Sequence, residues 1–274
     1  MFFSSGEIDR FNLTTFKFIE TEQAGHVFFI TLNRPEKRNA FTPTMINELA
    51  FALAYANVQR DSWCVVIKAN GPVFCAGMDL AVFQNPELDI INNSLPEPNK
   101  AVTIGDALRL MNKPVIAKVE GNVYAGGFLI VGGCTFVVAA EDVEFSLPEV
   151  KRGIFPMQVI STLQDLMSPK QALRLCILGE PFGAMAALNF GLVTHIAAGE
   201  KLNERIATLI DTILANSPHA ISRGMETFRA LPDIPGYARF GFLADQLTKI
   251  RNSADAQEGI NAFREKRTPC WTNQ

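Results

Sequence analysis

The sequence predicts an α/β fold for residues 1–200 and an all-helical segment for residues 201–274. In the first part, short β-rich apolar runs alternate with stretches that carry apolar residues at helical spacing. A rhythm of strand, strand and helix recurs there without a strict sequence repeat. In the second part the pattern is helical only, with breaks at Pro218, Pro232 and Pro235. We therefore expect an α/β core followed by a helical segment.

The composition is that of an ordinary packed protein, with 48% hydrophobic and 19% charged residues. The net charge of −3 disfavours nucleic-acid binding, which needs a basic surface. No apolar run approaches the roughly 18–20 residues of a membrane span, and the N-terminus does not resemble a secretory signal. The five cysteines are dispersed and form no CxxC pair. We therefore expect reduced thiols, a cytoplasmic location and no metal site.

Strands are predicted where β-branched and aromatic residues form short apolar runs. Residues 1–15 are weakly patterned, and we expect them to form a mobile arm. The predicted strands after that arm are Phe16–Glu20, His26–Leu32, Trp63–Lys68, a short one from Val73, Pro114–Glu120, a β-like run over Val143–Leu147, and Leu192–Ile196.

Helices are predicted from apolar residues at helical spacing and from capping signals. Thr42 is expected to cap one helix, with Pro43 at its first position. Further helices are predicted over residues 101–111, behind the glycines at 126 and 127, and over residues 158–167, 168–179 and 184–190. Residues 84–100 are rich in Asn, Pro and acids, so we expect a flexible surface segment and a candidate lid over a site.

Two glycine stretches each lie between a short strand and a helix start. The first contains Ala76 and Gly77 and precedes a helix capped by Asp79, and the second contains Gly126 and Gly127. Because glycine has no Cβ, a backbone N–H can approach a ligand closely there, and two such loops can form an oxyanion hole. Each stretch taken alone is more typical of a tight turn. Neither matches a dinucleotide or P-loop motif.

Glu149 follows Pro148 at the end of the β-like run. A carboxylate in a largely apolar context has a raised pKa and can act as a general acid or base. The alternative is an ion pair with Lys151 or Arg152, which the spacing alone favours.

The other residues that could carry chemistry are dispersed. The three histidines, His26, His195 and His219, show no metal-ligand spacing, and no GxSxG motif is present, which disfavours a serine or cysteine triad. Cys75 lies beside the first glycine stretch, where we expect a buried small hydrophobe. Two basic groups are either phosphate contacts or solvated surface charge; they are Arg34, Lys37 and Arg38, and Arg264, Lys266 and Arg267.

Several blocks, in their order and separation, resemble the signatures of the crotonase (enoyl-CoA hydratase/isomerase) superfamily. They read LNRPEKRNAF, PVFCAGMDL, KPVIAKVEGNVYAGGF and FSLPEVKRGIFP, and the tail SADAQEGINAFREKRTPCW resembles that family's closing helix. The resemblance covers residues 16–271. It implies a ββα superhelix, a spiral, followed by a C-terminal helical segment that supports a homotrimer or a dimer of trimers.

The resemblance also implies the substrate and the site. Members bind acyl-CoA thioesters, so coenzyme A enters as part of the substrate and no separate cofactor is expected. By position, the backbone N–H groups of Ala76 and Gly126 stabilise an enolate, and Glu149 is the acid or base. Substrate contacts are implied at Lys37, Arg38, Ala40, Ala76, Gly77, Met78, Asp79, Leu80, Gly126, Leu129, Phe155, Pro156, Phe263 and Lys266.

Some of these contacts have more specific implied roles. Lys37 and Arg38 are expected to approach the phosphates of coenzyme A. Phe263 and Lys266 are expected to cover the adenine and phosphate region, with a neighbouring subunit as a possible source. Phe155 and the apolar residues around it suggest an acyl pocket with few polar contacts.

One position departs from the pattern of the family's hydratases. They carry two glutamates, of which the second corresponds to Glu149 and the first to Leu129. Addition of water is most easily run by two carboxylates, whereas the family's enoyl-CoA isomerases need only one. Isomerisation is therefore the leading hypothesis. Hydration or dehydration, cleavage as in a lyase, decarboxylation, hydrolysis, a non-catalytic acyl-CoA binder and an RNA-binding scaffold are the alternatives.

Overall fold

The computed structural model describes residues 2–274 and arranges its strands in two sheets. The strands are β1 (Ile19–Ala24), β2 (Val27–Leu32), β3 (Cys64–Ala69), β4 (Val73–Cys75), β5 (Val115–Val119), β6 (Asn122–Tyr124), β7 (Phe136–Ala140), β8 (Glu144–Ser146), β9 (Phe182–Gly183) and β10 (His195–Ala197).

From β3 to β8, consecutive strands alternate between the sheets. The larger sheet has the order β1-β2-β3-β5-β7-β10 and the smaller one β4-β6-β8-β9. The pairs β1–β2 and β8–β9 are antiparallel, and all the others are parallel. Each of the pairs β3–β4, β5–β6 and β7–β8 places one strand in each sheet and is followed by a helix. The chain therefore forms a spiral of ββα turns, and the predicted α/β fold is confirmed.

The helices connect the strands and then form the carboxyl-terminal part. They are α1 (Ser5–Ile8), α2 (Pro43–Val58), α3 (Leu80–Gln84), α4 (Ile104–Arg109), α5 (Phe128–Gly133), α6 (Met157–Leu163), α7 (Pro169–Leu178), α8 (Ala184–Asn189), α9 (Leu202–Leu214), α10 (Pro218–Ala230), α11 (Arg239–Arg251) and α12 (Ala254–Glu265). The Thr42 hydroxyl caps α2 as predicted, accepting a hydrogen bond from Met45 N–H. Within residues 2–274, the helices fall short of the length and apolarity that a membrane span requires.

The central strands of the larger sheet are buried on both faces, which explains their nearly continuous apolar runs. One face belongs to the main core, which also takes in the smaller sheet and α2. On the other face, Val66 and Ile116 pack with Leu202 and Ile206 of α9. Helix α9 therefore covers the sheet although it lies beyond residue 200, and the boundary between residues 1–200 and 201–274 stays a prediction.

The amino-terminal residues pack against the core, so the expectation of a mobile arm is wrong. Phe2, Phe3 and Ile8 are buried, and the ring of Phe11 stacks on that of Tyr55 with the centroids 3.7 Å apart. The stretch contains only a four-residue helix and one 3-10 turn. Elements this short carry no periodicity from which a sequence pattern could be recognised. Residue 1 lies outside the described residues.

Residues 84–100 follow an irregular course, as predicted, but side chains fix their centre. We call them the pinned segment. Asp89 accepts hydrogen bonds from the N–H and the hydroxyl of Thr44, both at 2.9 Å. Asn92 donates to the fully buried carboxylate of Glu48 at 2.6 Å. The prediction of a flexible segment is therefore wrong for this centre. The carboxyl-terminal end of the pinned segment borders a cleft.

Candidate active site

A cleft of about 1230 Å³ opens between the loops that follow β4 and β6 and the start of α6. Most residues that the sequence assigned to the site line it: Lys37, Arg38, Ala40, Ala76, Met78, Asp79, Leu80, Gly126, Leu129, Glu149, Phe155 and Pro156. Gly77, Phe263 and Lys266 are not among the lining residues. The spiral therefore gathers residues from four distant stretches of the chain in one cleft.

The first glycine loop presents a different N–H group from the predicted one. The N–H of Ala76 donates to the carbonyl of Arg38 at 3.0 Å, so it is not available to a ligand. Met78 forms an isolated parallel bridge with Phe41, in which the bonds run from Phe41 N–H to Gly77 O and from Asp79 N–H to Phe41 O. No backbone hydrogen bond in residues 2–274 takes the N–H of Met78. The assignment of Ala76 as a donor is wrong, and Met78 supplies the free N–H.

Gly126 stays the predicted second donor. Gly126 lies in a 3-10 turn, Ala125–Gly127, that leads into α5, and an N–H at a helix start has no acceptor within the helix. The two loops touch there. A Cβ placed on Gly77, whose φ is +83°, would lie 2.7 Å from the nitrogen of Gly126. Glycine at position 77 therefore allows the N–H groups of Met78 and Gly126 to lie side by side at the cleft.

Glu149 lies on a 3-10 turn, Pro148–Arg152, and lines the same cleft. Its Oε2 atom is enclosed and has no hydrogen-bond partner in the described chain. The ion pairs of residues 2–274 include none to Lys151 or Arg152, so the ion-pair alternative is not supported. Burial raises the pKa of the Glu149 carboxyl, and the weaker opposing effects are its own backbone N–H and the charge of Arg152.

The other two acids of the cleft are placed differently. Asp79 is engaged by Arg34 at 2.7 Å and is shielded from solvent. Glu97 is exposed. Leu129, where the family's hydratases are expected to carry their first glutamate, is an apolar wall residue that is 7% exposed. Glu149 is thus the one carboxylate lining the described cleft that is both enclosed and unpaired.

The basic residues at the cleft separate into two kinds. Lys37 and Arg38 are exposed and line the cleft, which suits contacts to phosphate groups. Arg34 is 8% exposed and is held by Asp79, so it is neither a solvated surface charge nor a phosphate contact, the two alternatives left open for its group. Arg267 makes two hydrogen bonds to Glu258, at 2.5 and 2.9 Å, and has a structural role in the turn after α12.

The predicted contacts on the carboxyl-terminal helix do not reach the cleft within one chain. Phe263 is 84% exposed on α12 and lines a separate pocket of about 450 Å³ together with Trp271. Lys266 caps the carboxyl end of the same helix with a φ of +55°. Their contribution from a neighbouring subunit stays a prediction.

Several lining residues escaped the sequence reasoning. They include Asn47 of α2, Lys100 at the end of the pinned segment, and Tyr124 before the second glycine loop. The Tyr124 hydroxyl accepts a hydrogen bond from the Asn122 amide at 2.8 Å. No local pattern marks these residues, because only the tertiary fold brings their segments to one surface. Residues 2–274 hold no group of three or more His, Cys, Asp or Glu side chains placed to share a metal ion.

The chain is similar to known proteins over nearly its whole length. A family model described as enoyl-CoA hydratase/isomerase matches residues 22–274. Enoyl-CoA hydratase EchA19 of Mycobacterium tuberculosis is 32% identical over 258 residues, which is 92% of this chain and 96% of that protein. Mevalonyl-coenzyme A hydratase sidH of Aspergillus fumigatus is 31% identical over 249 residues, covering 90% and 91% of the two chains.

Solved structures show the same architecture. The crystal structure of human enoyl Coenzyme A hydratase domain-containing protein 3 superposes with a TM-score of 0.83 at 27% identity, over 93% of this chain and all of that one. That of enoyl-CoA hydratase EchA1 from Mycobacterium marinum has a TM-score of 0.83 at 29% identity, over 94% and 99%. The likeness extends over both the spiral and the carboxyl-terminal helices.

Proposed function

The chain belongs to the enoyl-CoA hydratase/isomerase family, and from that membership we propose that it transforms an enoyl-CoA thioester through an enolate. The observation that carries this proposal is one cleft with two free N–H groups, from Met78 and Gly126, and one enclosed carboxylate without a partner, that of Glu149. Formation of an enolate needs hydrogen-bond donors that stabilise the negative charge on the thioester oxygen and a base that removes the proton at C2.

The two N–H groups act on the thioester carbonyl. A proton at C2 of a thioester is barely acidic, because the enolate that its removal leaves, with negative charge on the carbonyl oxygen, is unstable in water. Donors that already point at that oxygen stabilise the charge without reorganising, and the loss of one such donor costs about 3–4 kcal/mol of transition-state stabilisation. Met78 and Gly126 supply the pair from rigid backbone.

Glu149 moves the proton. As a carboxylate it takes a proton from C2 of a 3-enoyl-CoA, and the electron pair of the C2–H bond moves into the enolate. The raised pKa of its carboxyl makes it a stronger base than an exposed glutamate. When the enolate collapses, C4 takes the proton back and the double bond shifts from C3–C4 to C2–C3. One carboxylate suffices for this isomerisation, and Leu129 favours it over two-acid chemistry.

Hydration or dehydration of an enoyl-CoA is the second candidate. The relatives from Mycobacterium tuberculosis and Aspergillus fumigatus are both named as hydratases, and the same oxyanion hole serves that reaction. Water would add at C3, and Glu149 alone would have to orient it, since Leu129 offers no hydrogen bond. Both reactions transfer only protons and water, so neither requires a cofactor beyond the coenzyme A of the substrate.

Products that are separated by liquid chromatography and then weighed by mass spectrometry decide between the two reactions, because the two enoyl-CoA isomers differ in retention and the hydrated product differs in mass. We expect purified protein to convert a 3-enoyl-CoA into an isomer of the same mass, with little change of a 2-enoyl-CoA. Formation of a product one water heavier from the 2-enoyl-CoA, at a rate equal to or above that of isomerisation, would favour hydration and refute the isomerase assignment.

A non-catalytic acyl-CoA binder is distinguished by Glu149→Gln. We expect this variant to lose at least about 100-fold in kcat, since general acid–base catalysis contributes about 10²–10⁴-fold, while its Kd for free coenzyme A stays within about twofold. A wild type that binds coenzyme A and turns over no acyl-CoA would support the binder instead.

A further inference from the structure

We propose that Arg34 is a positioning residue for the oxyanion hole, acting through two peptide groups on the N–H of Met78. The inference rests on the proposed function, in which that N–H binds the thioester oxygen. Arg34 itself is buried, does not line the cleft and touches no substrate position.

The first link joins the guanidinium group to the peptide between residues 40 and 41. Arg34 Nη1 donates to the carbonyl oxygen of Ala40 at 3.0 Å and to Asp79 Oδ2 at 2.7 Å. The ring of Phe18 covers the guanidinium carbon at 5.4 Å. The guanidinium group is therefore contacted by Ala40, Asp79 and Phe18. The Ala40 carbonyl cannot rotate without losing its hydrogen bond to Arg34.

The second link carries this orientation to Met78. The carbonyl of Ala40 and the N–H of Phe41 are opposite ends of one planar trans peptide. The Phe41 N–H donates to the carbonyl of Gly77 at 2.7 Å, and that carbonyl is the opposite end of the peptide that carries the Met78 N–H. Because each peptide is planar, fixing its oxygen fixes the direction of its hydrogen. Successive hydrogen bonds in such a chain also polarise one another by about 10–30% per bond.

Asp79 closes the arrangement on the far side of Met78. One carboxylate oxygen meets Arg34, and the other accepts the N–H groups of Ala81 at 3.0 Å and Val82 at 3.4 Å. Burial opposes ionisation of Asp79, but its hydrogen bonds with Arg34 and these N–H groups prevail and lower the pKa of the carboxyl. Because the charge of Asp79 balances that of Arg34, the main effect of Arg34 is to orient the peptide and not to add a positive electrostatic potential.

Infrared difference spectra of a bound 2-enoyl-CoA, labelled with ¹³C at the thioester carbonyl, test this directly. The Glu149→Gln background prevents turnover, and the two N–H donors should shift the carbonyl band to lower frequency than in free solution. We expect Arg34→Met in that background to lose more than half of the shift. In the otherwise wild-type enzyme, Arg34→Met should lower kcat about 10- to 100-fold, with the Kd for free coenzyme A changed less than about threefold.

Two further variants separate positioning from stability. The side chain of Arg229 makes three hydrogen bonds away from the cleft, to Arg109 O, Met111 O and the Asn112 side chain, so Arg229→Met should keep the full carbonyl shift. Arg34→Lys keeps a cation opposite Asp79 in a chain one bond shorter and without the planar fork. If Arg34→Met does not fold, Arg34→Lys replaces it in the experiment. We expect Arg34→Lys to lose part of the carbonyl shift and part of kcat.

The outcomes are distinct. A carbonyl band that is unshifted in the Glu149→Gln protein itself would refute the proposed function. A normal shift there that persists in full in Arg34→Met, or in Arg34→Lys if the former does not fold, would refute the positioning role of Arg34 and leave the proposed function intact.

Discussion

At the scale of single residues, Glu149 is the proposed base of the site and also lowers the stability of the folded protein. One of its carboxylate oxygens is enclosed and has no donor, and burial raises the pKa of the group. A buried acceptor without a partner destabilises a fold by about 1–3 kcal/mol. In the proposed mechanism this arrangement serves catalysis, because a carboxylate oxygen without a protein donor is free to exchange a proton with the substrate.

Glu149→Gln is expected to be at least as stable as the wild type at pH 7, with a gain of up to about 1 kcal/mol. The folded carboxyl holds its proton more tightly than the unfolded chain, where the pKa is near 4.5. Its stabilising contribution is therefore present below that pH and is lost as the pH rises through the higher folded value. Urea unfolding at pH 7 and pH 4 measures the difference, which should shrink at pH 4. A wild type more stable than the variant at pH 7 would contradict this.

Gly77 is expected to be irreplaceable for a steric reason. A Cβ there would lie 2.6 Å from the Cβ of Ala125, and φ is +83°. Gly77→Ala should destabilise the protein by about 2–4 kcal/mol and lower kcat by separating the two N–H donors. Gly105→Ala is the control, because its Cβ would meet nothing closer than 4.0 Å and should leave kcat unchanged. Thermal unfolding and kcat of both variants check this, and a Gly77→Ala enzyme with wild-type kcat would refute it.

At the scale of elements, the pinned segment shows how one buried acid organises its surroundings. The Glu48 carboxylate accepts the backbone N–H groups of Lys17 and Phe18, each at 2.9 Å, besides the Asn92 amide. It thereby joins α2 to the chain before β1 and to the segment that borders the cleft. The acid-rich composition of residues 84–100 suggested mobility. The sequence around Asn92 does not reveal its buried partner Glu48, because that residue lies more than forty positions away.

Asn92→Ala should release this segment. The change removes hydrogen bonds to Thr15 O and to Glu48, which should cost about 1–3 kcal/mol and speed hydrogen exchange and protease cleavage within residues 84–100. Asn85→Ala in the same segment removes only an exposed bond to the Glu87 N–H and should change little. Equal exchange rates in the wild type and Asn92→Ala would show that the contact does not fix the segment.

The same scale shows what local patterns could and could not predict. Most strands and helices follow from apolar spacing and capping, as at Thr42. Strand β7 was missed because its residues, FVVAA, continue the apolar run of α5, and a short apolar run alone does not separate a strand from a helix. The glycine loops and Glu149 were identified as candidates. The sequence could not show that the free N–H belongs to Met78 rather than Ala76, because this depends on the bridge between Met78 and Phe41.

At the scale of the whole molecule, the carboxyl-terminal helices expose large apolar side chains. Phe228, Tyr237, Phe240 and Phe263 are 78–94% exposed in the single chain, and exposed apolar patches commonly mark interaction surfaces. The homotrimer, or dimer of trimers, implied by the sequence resemblance would cover such a surface. It would also give Phe263 and Lys266 a route to a neighbour's cleft.

Light scattering after size exclusion is expected to give a mass three or six times the 30.2 kDa of the chain. Phe240→Asp should reduce that mass if α11 lies in the contact, whereas a charge at the exposed Leu13, which is outside these helices, should not. A wild type that remains a single chain at micromolar concentration would contradict the proposed assembly.

In the proposed mechanism, Met78 and Gly126 hold an enolate that Glu149 forms. Exchange of the C2 hydrogens of a saturated acyl-CoA with D₂O isolates this step, because it requires the enolate and the base but neither water addition nor a shifted double bond. Mass spectrometry should show that the wild type incorporates deuterium at C2 and that Glu149→Gln does so at least about 100-fold more slowly. No incorporation by the wild type, or equal rates in the two proteins, would refute this mechanism.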